Sequence, residues 1–167
     1  MSISSSLVVS NTGPLIALDA CNQLGLLRSL YARVVVPEEV ERELAHGGAM
    51  ALASGLTVQH HTWIEVLPQT MPSLTALLTS LDAGEAAVIT LALELGSPVV
   101  LIDEKKGLKV AREQGLQALG SIGILLLAKK RGLLPEVKPH LHVMHARGIR
   151  LSTKLMAWAI IQAGETP

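Results

Sequence analysis

The chain has 167 residues with 14 basic and 14 acidic side chains, and 49% of its residues are hydrophobic while 17% are charged. This composition argues against a disordered chain, and the length suits one domain, which we predict to span residues 1–167. No run reaches the roughly 20 apolar residues of a membrane helix, no basic segment of a signal peptide precedes residue 7, and the single cysteine excludes an internal disulfide. We therefore expect a cytoplasmic protein that does not enter a membrane.

The charges are unevenly distributed along the chain. Residues 1–103 carry 3 basic and 10 acidic side chains, whereas residues 104–167 carry 11 basic and 4 acidic ones. Either an acidic pocket lies beside a basic surface that attracts a polyanion, or the helices carry solvated charged faces. The aromatic residues are only Tyr31, Trp63 and Trp158, which argues against a base-stacking platform for single-stranded nucleic acid.

Short apolar runs alternate with segments of helical composition. The strands are predicted at residues 7–10, 33–36, 63–67, 99–102 and 116–119. Helices are predicted from a cap at Asn11 or Thr12, then at 23–31, 37–46, within 49–62, at 72–80, 86–95, 105–114, 122–130, 135–146 and 152–162. This alternation predicts βα units, and therefore an α/β fold around a parallel sheet.

The central strand, 99–102, ends on two adjacent carboxylates, Asp103 and Glu104. Binding sites in parallel sheets form at the carboxyl ends of the strands. Other polar residues occupy comparable strand and helix ends: Asn11, Glu43, Asp82 and Glu85. Converging carboxylates are the requirement of metal-dependent phosphodiester cleavage, because the metal activates a water and offsets charge on the phosphate. Each residue also has a purely structural interpretation as a helix cap, a capping-box partner or a solvated charge.

The histidines and the cysteine are weaker candidates for a site. His60 and His61 are adjacent, so their side chains point in different directions. His142 and His145 share a helical face without an acidic partner nearby in the sequence, which favours a surface or interface role. Cys21 has no closely flanking basic residue, and we predict that it belongs to the core.

Five segments together carry a family resemblance, and they occur in family order: residues 8–16, 36–44, 81–86, 101–107 and 120–125. In these segments the chain resembles the PIN-domain family of small nucleases, specifically a branch related to VapC-type toxins. The resemblance covers about residues 7 to 164. It implies a three-layer α/β fold with a five-stranded parallel sheet flanked by helices, in which the first and fourth strands are neighbours at the centre.

The resemblance also assigns functional residues. It implies that catalysis and metal binding belong to Asn11, Glu43, Glu85 and Asp103, with Glu104 as an additional metal ligand. The implied activity is Mg²⁺- or Mn²⁺-dependent cleavage of single-stranded RNA, often by a toxin that a small antitoxin-like protein neutralises.

The next two residues, Lys105 and Lys106, are candidates for contacting RNA phosphates. A homodimer is expected from the apolar composition and the last two helices, with Met156 and Trp158 as candidates for the interface or, equally, for the core.

Two positions depart from the family pattern. Asn11 stands where the family usually has Asp, so its neutral amide would bind a cation more weakly. Leu108 stands where a basic residue is expected. A catalytically weak PIN-like module that binds a partner protein or RNA is therefore the alternative hypothesis. A phosphate-binding α/β protein is disfavoured, because no glycine-rich phosphate loop follows a strand.

Overall fold

The computed structural model describes residues 7–73 and 79–167. The strands in these ranges are β1 (Leu7–Ser10), β2 (Arg33–Pro37), β3 (Ile64–Leu67), β4 (Val99–Leu101) and β5 (Gln117–Leu119). All their pairings are parallel, and the order across the sheet is β3-β2-β1-β4-β5. The predicted α/β fold, with the first and fourth strands adjacent at the centre, is confirmed.

Helices connect the strands and flank the sheet. In the described part of the chain they are α1 (Thr12–Ala20), α2 (Leu26–Leu30), α3 (Glu38–His46), α4 (Ala49–Ser54), α5 (Ala83–Leu95), α6 (Lys105–Glu113), α7 (Ser121–Lys130), α8 (Lys138–Ala146) and α9 (Thr153–Gln162). A single 3₁₀ turn, Val58–His60, lies before β3. None of these helices has the length and apolar character needed to cross a bilayer.

The two central strands are buried on both faces. Every residue of β1 and β4 is buried, and Val9 and Val100 have no exposed surface. An uninterrupted apolar run is what a parallel strand covered on both sides requires. The first polar residues after these strands are therefore held at the carboxyl edge of the sheet by a rigid core.

Helix α5 forms the most extensive cover over this centre, since it packs against β1, β2 and β4. It begins with a complete capping box, in which the Asp82 side chain accepts from the Glu85 N–H and the Glu85 side chain accepts from the Asp82 N–H. It ends at Gly96 in the left-handed conformation, with φ of 64°. The helix was predicted to start at residue 86. It begins three residues earlier, at Ala83, because Asp82 is its N-cap residue.

Several other helix boundaries differ from the predictions. The helix predicted at 23–31 begins at Leu26, after a turn in which Asn22 has φ of 57°. The helix predicted at 135–146 begins at Lys138, because the carboxylate of Glu165 accepts from the N–H groups of Val137 and Lys138. The helix predicted at 72–80 lies largely outside the described residues.

Candidate active site

The candidate site lies where β1 and β4 end side by side. Ser10 pairs with Leu101, and the N–H of Asn11 then donates to the Leu101 carbonyl at 2.9 Å. From this point the order of strands diverges, since β2 and β3 lie on one side and β5 on the other. Such a point of divergence leaves a crevice at the carboxyl edge, which is where open α/β sheets bind ligands.

Three side-chain oxygens face one small space above Gly84. A methyl group built on Gly84 would lie 2.9 Å from Glu43 Oε2, 3.2 Å from Asn11 Oδ1 and 3.4 Å from Asp82 Oδ1. The glycine therefore keeps open a space that a larger residue would fill. Asn11 is buried, and its Oδ1 has no hydrogen-bond partner within the described residues. A buried acceptor left unpaired costs roughly 1–3 kcal/mol, so this oxygen is available to a ligand or water.

Glu85 forms the floor of the site. Its side chain is buried, and the capping box fixes it through bonds of 2.8 Å from its own N–H to Asp82 Oδ1 and 3.3 Å from the Asp82 N–H to its Oε2. Its other oxygen, Oε1, faces the first turn of α6, where a methyl group on Gly107 would approach it to 3.0 Å. Glu85 is therefore a structural cap whose second oxygen lies against the start of α6.

Asp103 is fixed from the opposite side, by α7. Its Oδ1 accepts from the Ser121 N–H at 2.6 Å, and its Oδ2 accepts from the Ser121 hydroxyl at 3.1 Å. The structural interpretation that Asp103 caps the helix following it is wrong, since Glu104 occupies that N-cap position without a side-chain bond. Asp103 instead binds the first residue of α7, while part of its surface stays open to solvent.

Burial and neighbouring negative charges raise the pKa values of the carboxyl groups in this site. Burial raises the pKa of Glu43; the charge of Asp82 acts in the same direction, and the nearby Thr12 hydroxyl opposes them. Burial also raises the pKa of Glu85, reinforced by the charges of Asp82, Glu104 and Glu43.

Asp103 follows the same trend. Burial raises its pKa despite the two bonds from Ser121, and the Glu104 charge adds to the increase. Five acids thus lie near one another, Glu43, Asp82, Glu85, Asp103 and Glu104, and neighbouring negative charges help to raise the pKa values of Glu43, Glu85 and Asp103. We name the five acids, together with Asn11, the acidic cleft.

A family model described as a PIN domain matches residues 7–165. The chain belongs to the PIN-domain family. No curated protein and no solved structure matches it significantly. Membership of the PIN-domain family indicates a nuclease-type function, with RNA as the general class of substrate and divalent metals as the general cofactors.

The side-chain oxygens of the acidic cleft suit a hard cation chemically, but they do not form a complete set of metal ligands. Carboxylate and amide oxygens are the ligands of Mg²⁺ and Mn²⁺, and the unpaired Asn11 oxygen is such a donor. In residues 7–73 and 79–167, however, no three His, Cys, Asp or Glu side chains are grouped closely enough to hold a metal ion.

The predicted residues divide into three groups. Asn11, Glu43 and Glu85 meet around α5, while Asp103 and Glu104 approach from the β4 side. Lys105 and Lys106 begin α6 and are exposed. Whether these residues carry the function stays a prediction.

Sequence reasoning gave no site role to two glycines and a serine, Gly84, Gly107 and Ser121. The glycine of Asp82-Ala83-Gly84-Glu85 was a usable local signal, because it sits inside a capping box without a turn to explain it. Ser121 had no comparable signal, since its partner Asp103 lies 18 residues away.

The prediction for Cys21 is confirmed. The thiol is buried, and burial raises its pKa to about 11, which disfavours the reactive thiolate at neutral pH. His142 and His145 are exposed on α8, away from any grouping of metal ligands in the described residues.

Proposed function

We propose that this PIN domain is a Mg²⁺- or Mn²⁺-dependent endoribonuclease that cleaves single-stranded RNA. The observation that carries the proposal is the acidic cleft, in which burial and neighbouring negative charges raise the pKa values of three carboxyl groups and a buried amide oxygen has no hydrogen-bond partner among the described residues. Retaining such a grouping costs stability, and a bound cation would offset that cost. The family indicates the same class of chemistry.

The residues that would hold the metal are Asn11, Glu43, Glu85 and Asp103, with Glu104 as an additional ligand. When bound, the metal would lower the pKa of an attacking water and offset charge on the phosphate. The protein's own contribution is orientation. Ser121 holds both oxygens of Asp103, and the capping box holds Glu85 through Oε2 while Oε1 lies against the start of α6.

The basic start of α6 supports a polyanionic substrate. Lys105 and Lys106 are exposed next to Glu104, at the rim of the cleft. Their charges would attract RNA phosphate toward carboxylates that alone would repel it. These two lysines are proposed to position the RNA backbone and are not assigned to the chemical step.

We further propose that the protein acts in the cytoplasm as a VapC-type toxin, neutralised by a small antitoxin-like protein, and that it forms a homodimer. Exposed apolar side chains support a protein partner: Leu133, Val143 and Ile161 are 45%, 40% and 59% exposed. Met156 is half-buried and packs against the core, which favours the core rather than an interface for this residue.

A catalytically weak binding module remains the second candidate function. It is favoured by the neutral Asn11 and by the lack of three grouped ligands in the described residues. In that case the fold and the cleft would bind RNA or a partner protein without efficient cleavage.

Calorimetric titration with Mn²⁺ and an assay of single-stranded RNA degradation would separate the two functions. The suitable variant is Asp103→Asn, and its matched control is Glu113→Gln, which removes one carboxylate from the exposed end of α6. A nuclease would bind Mn²⁺ and cleave RNA, and would lose both in Asp103→Asn alone. A parent protein that binds RNA but neither binds Mn²⁺ nor cleaves would establish the binding module instead.

A further inference from the structure

A groove adjoins the acidic cleft and shares Asp103 with it. The groove has a volume of about 390 Å³, within the roughly 300–1,000 Å³ typical of ligand sites. Its apolar lining includes Leu119, two residues before the Asp103-binding residue Ser121, and Ile122, directly after it. A chain bound across Asp103 would therefore continue directly into this groove.

Three cations line the same groove: Lys105, Arg112 and Arg150. Within the described ranges, none of them forms an ion pair with a carboxylate. Arg112 is oriented by a bond of 3.1 Å from its guanidinium to the Ala118 carbonyl. These cations have no carboxylate partners in the described part of the chain, and they lie beside apolar side chains. The groove therefore complements a ligand that has both an anionic group and a flat apolar group.

The remaining wall contains Trp158, which is 50% exposed. The other tryptophan, Trp63, is half-buried and makes an edge contact with His61. An exposed indole next to cations offers a face on which any nucleobase can stack. The small number of aromatic residues argued against a stacking platform, but one correctly placed tryptophan is sufficient for one base.

We propose that the groove binds the nucleotide next to the scissile phosphate of a single-stranded RNA. The base stacks on Trp158, and Arg150 and Lys105 bind the adjoining phosphates. The inference rests on the proposed ribonuclease function, because Asp103 sets where the scissile phosphate lies. Charge selects this occupant: the cleft carries five acids and repels RNA, whereas the groove carries three cations and attracts it.

The experiment is a fluorescence-anisotropy titration of a labelled single-stranded oligoribonucleotide in EDTA, where no cleavage occurs. The second probe is an abasic oligonucleotide of equal length, which has the phosphates without the bases. Trp158→Leu should weaken binding of the base-containing probe by roughly 10-fold and leave the abasic probe unchanged, while Trp158→Phe retains most of the affinity.

The phosphate contact has its own readout. Arg150→Gln should weaken both probes and should reduce the slope of log affinity against log salt by about 0.7. Lys109→Gln, which alters an exposed lysine on α6 that pairs with Glu113, serves as the matched control and should change neither quantity.

If Trp158→Leu does not fold, tryptophan fluorescence of the parent protein provides the test instead. The base-containing probe should quench this fluorescence and the abasic probe should not. Equal affinity of parent and Trp158→Leu for the base-containing probe overturns the inference. So does a homodimer that dissociates in Trp158→Leu, because a second copy then covers the groove.

Separate outcomes would reject the nucleotide subsite in the groove and the proposed ribonuclease function. RNA cleavage with Mn²⁺ that is insensitive to Trp158 would retain the ribonuclease and reject the nucleotide subsite. Base-dependent binding through Trp158 without any cleavage would retain the subsite and reject the ribonuclease. A parent protein that does not bind the oligoribonucleotide would reject the subsite.

Discussion

Two carboxylate sites in this molecule have opposite electrostatic environments. In the acidic cleft, Glu43, Glu85 and Asp103 all have raised pKa values. At the other site, which we name the Glu165 clamp, burial also raises the pKa, but Lys129 and the N–H groups of Val137 and Lys138 outweigh it and hold the pKa at about 2. The three bonds measure 2.8, 2.8 and 2.9 Å.

The difference separates a carboxylate whose charge the fold compensates from carboxylates whose charges the described residues leave uncompensated. Glu165 receives a cation and a helix N-terminus from the fold itself, so its charge is fully compensated and it joins α7, α8 and the C-terminal segment. The cleft acids receive no cation from the described residues and face one another instead. A site that needs a charge from outside is the expected form of a metal or ligand site before loading.

The largest expected effect is on activity when the cleft loses its buried acid. Glu85→Gln keeps the size of the side chain, and its amide oxygen can still accept from the Asp82 N–H. RNA cleavage should nevertheless fall by about 100-fold or more, because even residues supporting a metal's ligands contribute about 10–100-fold. A cleavage assay with Mn²⁺ checks this, with Glu113→Gln as control. Unchanged cleavage would exclude Glu85 from the catalytic site.

The second prediction concerns a substitution that alters the Glu165 clamp and leaves the acidic cleft unchanged. Glu165→Gln removes the charge that Lys129 and the start of α8 compensate, so we expect a loss of about 2 kcal/mol in the free energy of unfolding. For a chain of this size that lowers Tm by roughly 4–8 °C. RNA cleavage below the melting temperature should not change. A variant that melts like the parent but cleaves more slowly would reverse the roles assigned here.

The sequence predicted the parts of the structure that local patterns control. The buried strands followed from apolar runs, and the spacing of Asp82 and Glu85 indicated a capping box, whereas the adjacency of strands one and four was implied by the family resemblance. The boundaries that failed depend on distant partners. Helix α8 begins at Lys138 because Glu165, 27 residues later, caps it, and no local signal could indicate that.

The candidate site was predictable to a similar extent. The family motifs predicted that Asn11 and Glu43 would lie close together, and the two side chains share the space above Gly84. The bond between Asp103 and Ser121 was not predictable, because its geometry depends on how β5 places the start of α7 beside β4. The groove with Trp158 was also unpredictable, since helix packing alone brings that residue to the rim.

The third prediction adds charge to the cleft. In Asn11→Asp the new carboxylate would lie in the space above Gly84, beside Glu43 and Asp82. We expect the metal-free protein to lose about 1–2 kcal/mol of stability through like-charge repulsion, while added Mn²⁺ stabilises it more than it stabilises the parent. RNA cleavage should rise. Asp103→Asn should have the opposite effects, with a firmer metal-free protein and weaker metal binding.

Melting curves with and without Mn²⁺ measure this balance. Asn22→Asp is the matched control, because it makes the same chemical change in an exposed turn. If Asn11→Asp and Asn22→Asp give equal metal-induced shifts in Tm, the cleft is not a metal site and the binding module becomes the better hypothesis.

The smallest expected effect is on the pH dependence of stability, where the two groups of carboxylates act in opposite directions. The pKa values of Glu43, Glu85 and Asp103 are raised by folding. Their destabilising contribution is therefore absent below the unfolded pKa of about 4 and grows as pH rises through the folded values. The pKa of Glu165 is lowered to about 2, so its stabilising contribution is complete above about 4 and is lost as pH falls toward 2.

The metal-free protein should accordingly lose stability in both directions away from mildly acidic pH. Urea unfolding at a series of pH values measures the two limbs separately. Saturating Mn²⁺ should flatten the limb above pH 4, because a cation favours the ionised acids of the cleft, and should leave the acidic limb unchanged. Glu165→Gln should flatten only the acidic limb. An upper limb that Mn²⁺ does not alter would mean that the cleft acids titrate without a bound cation.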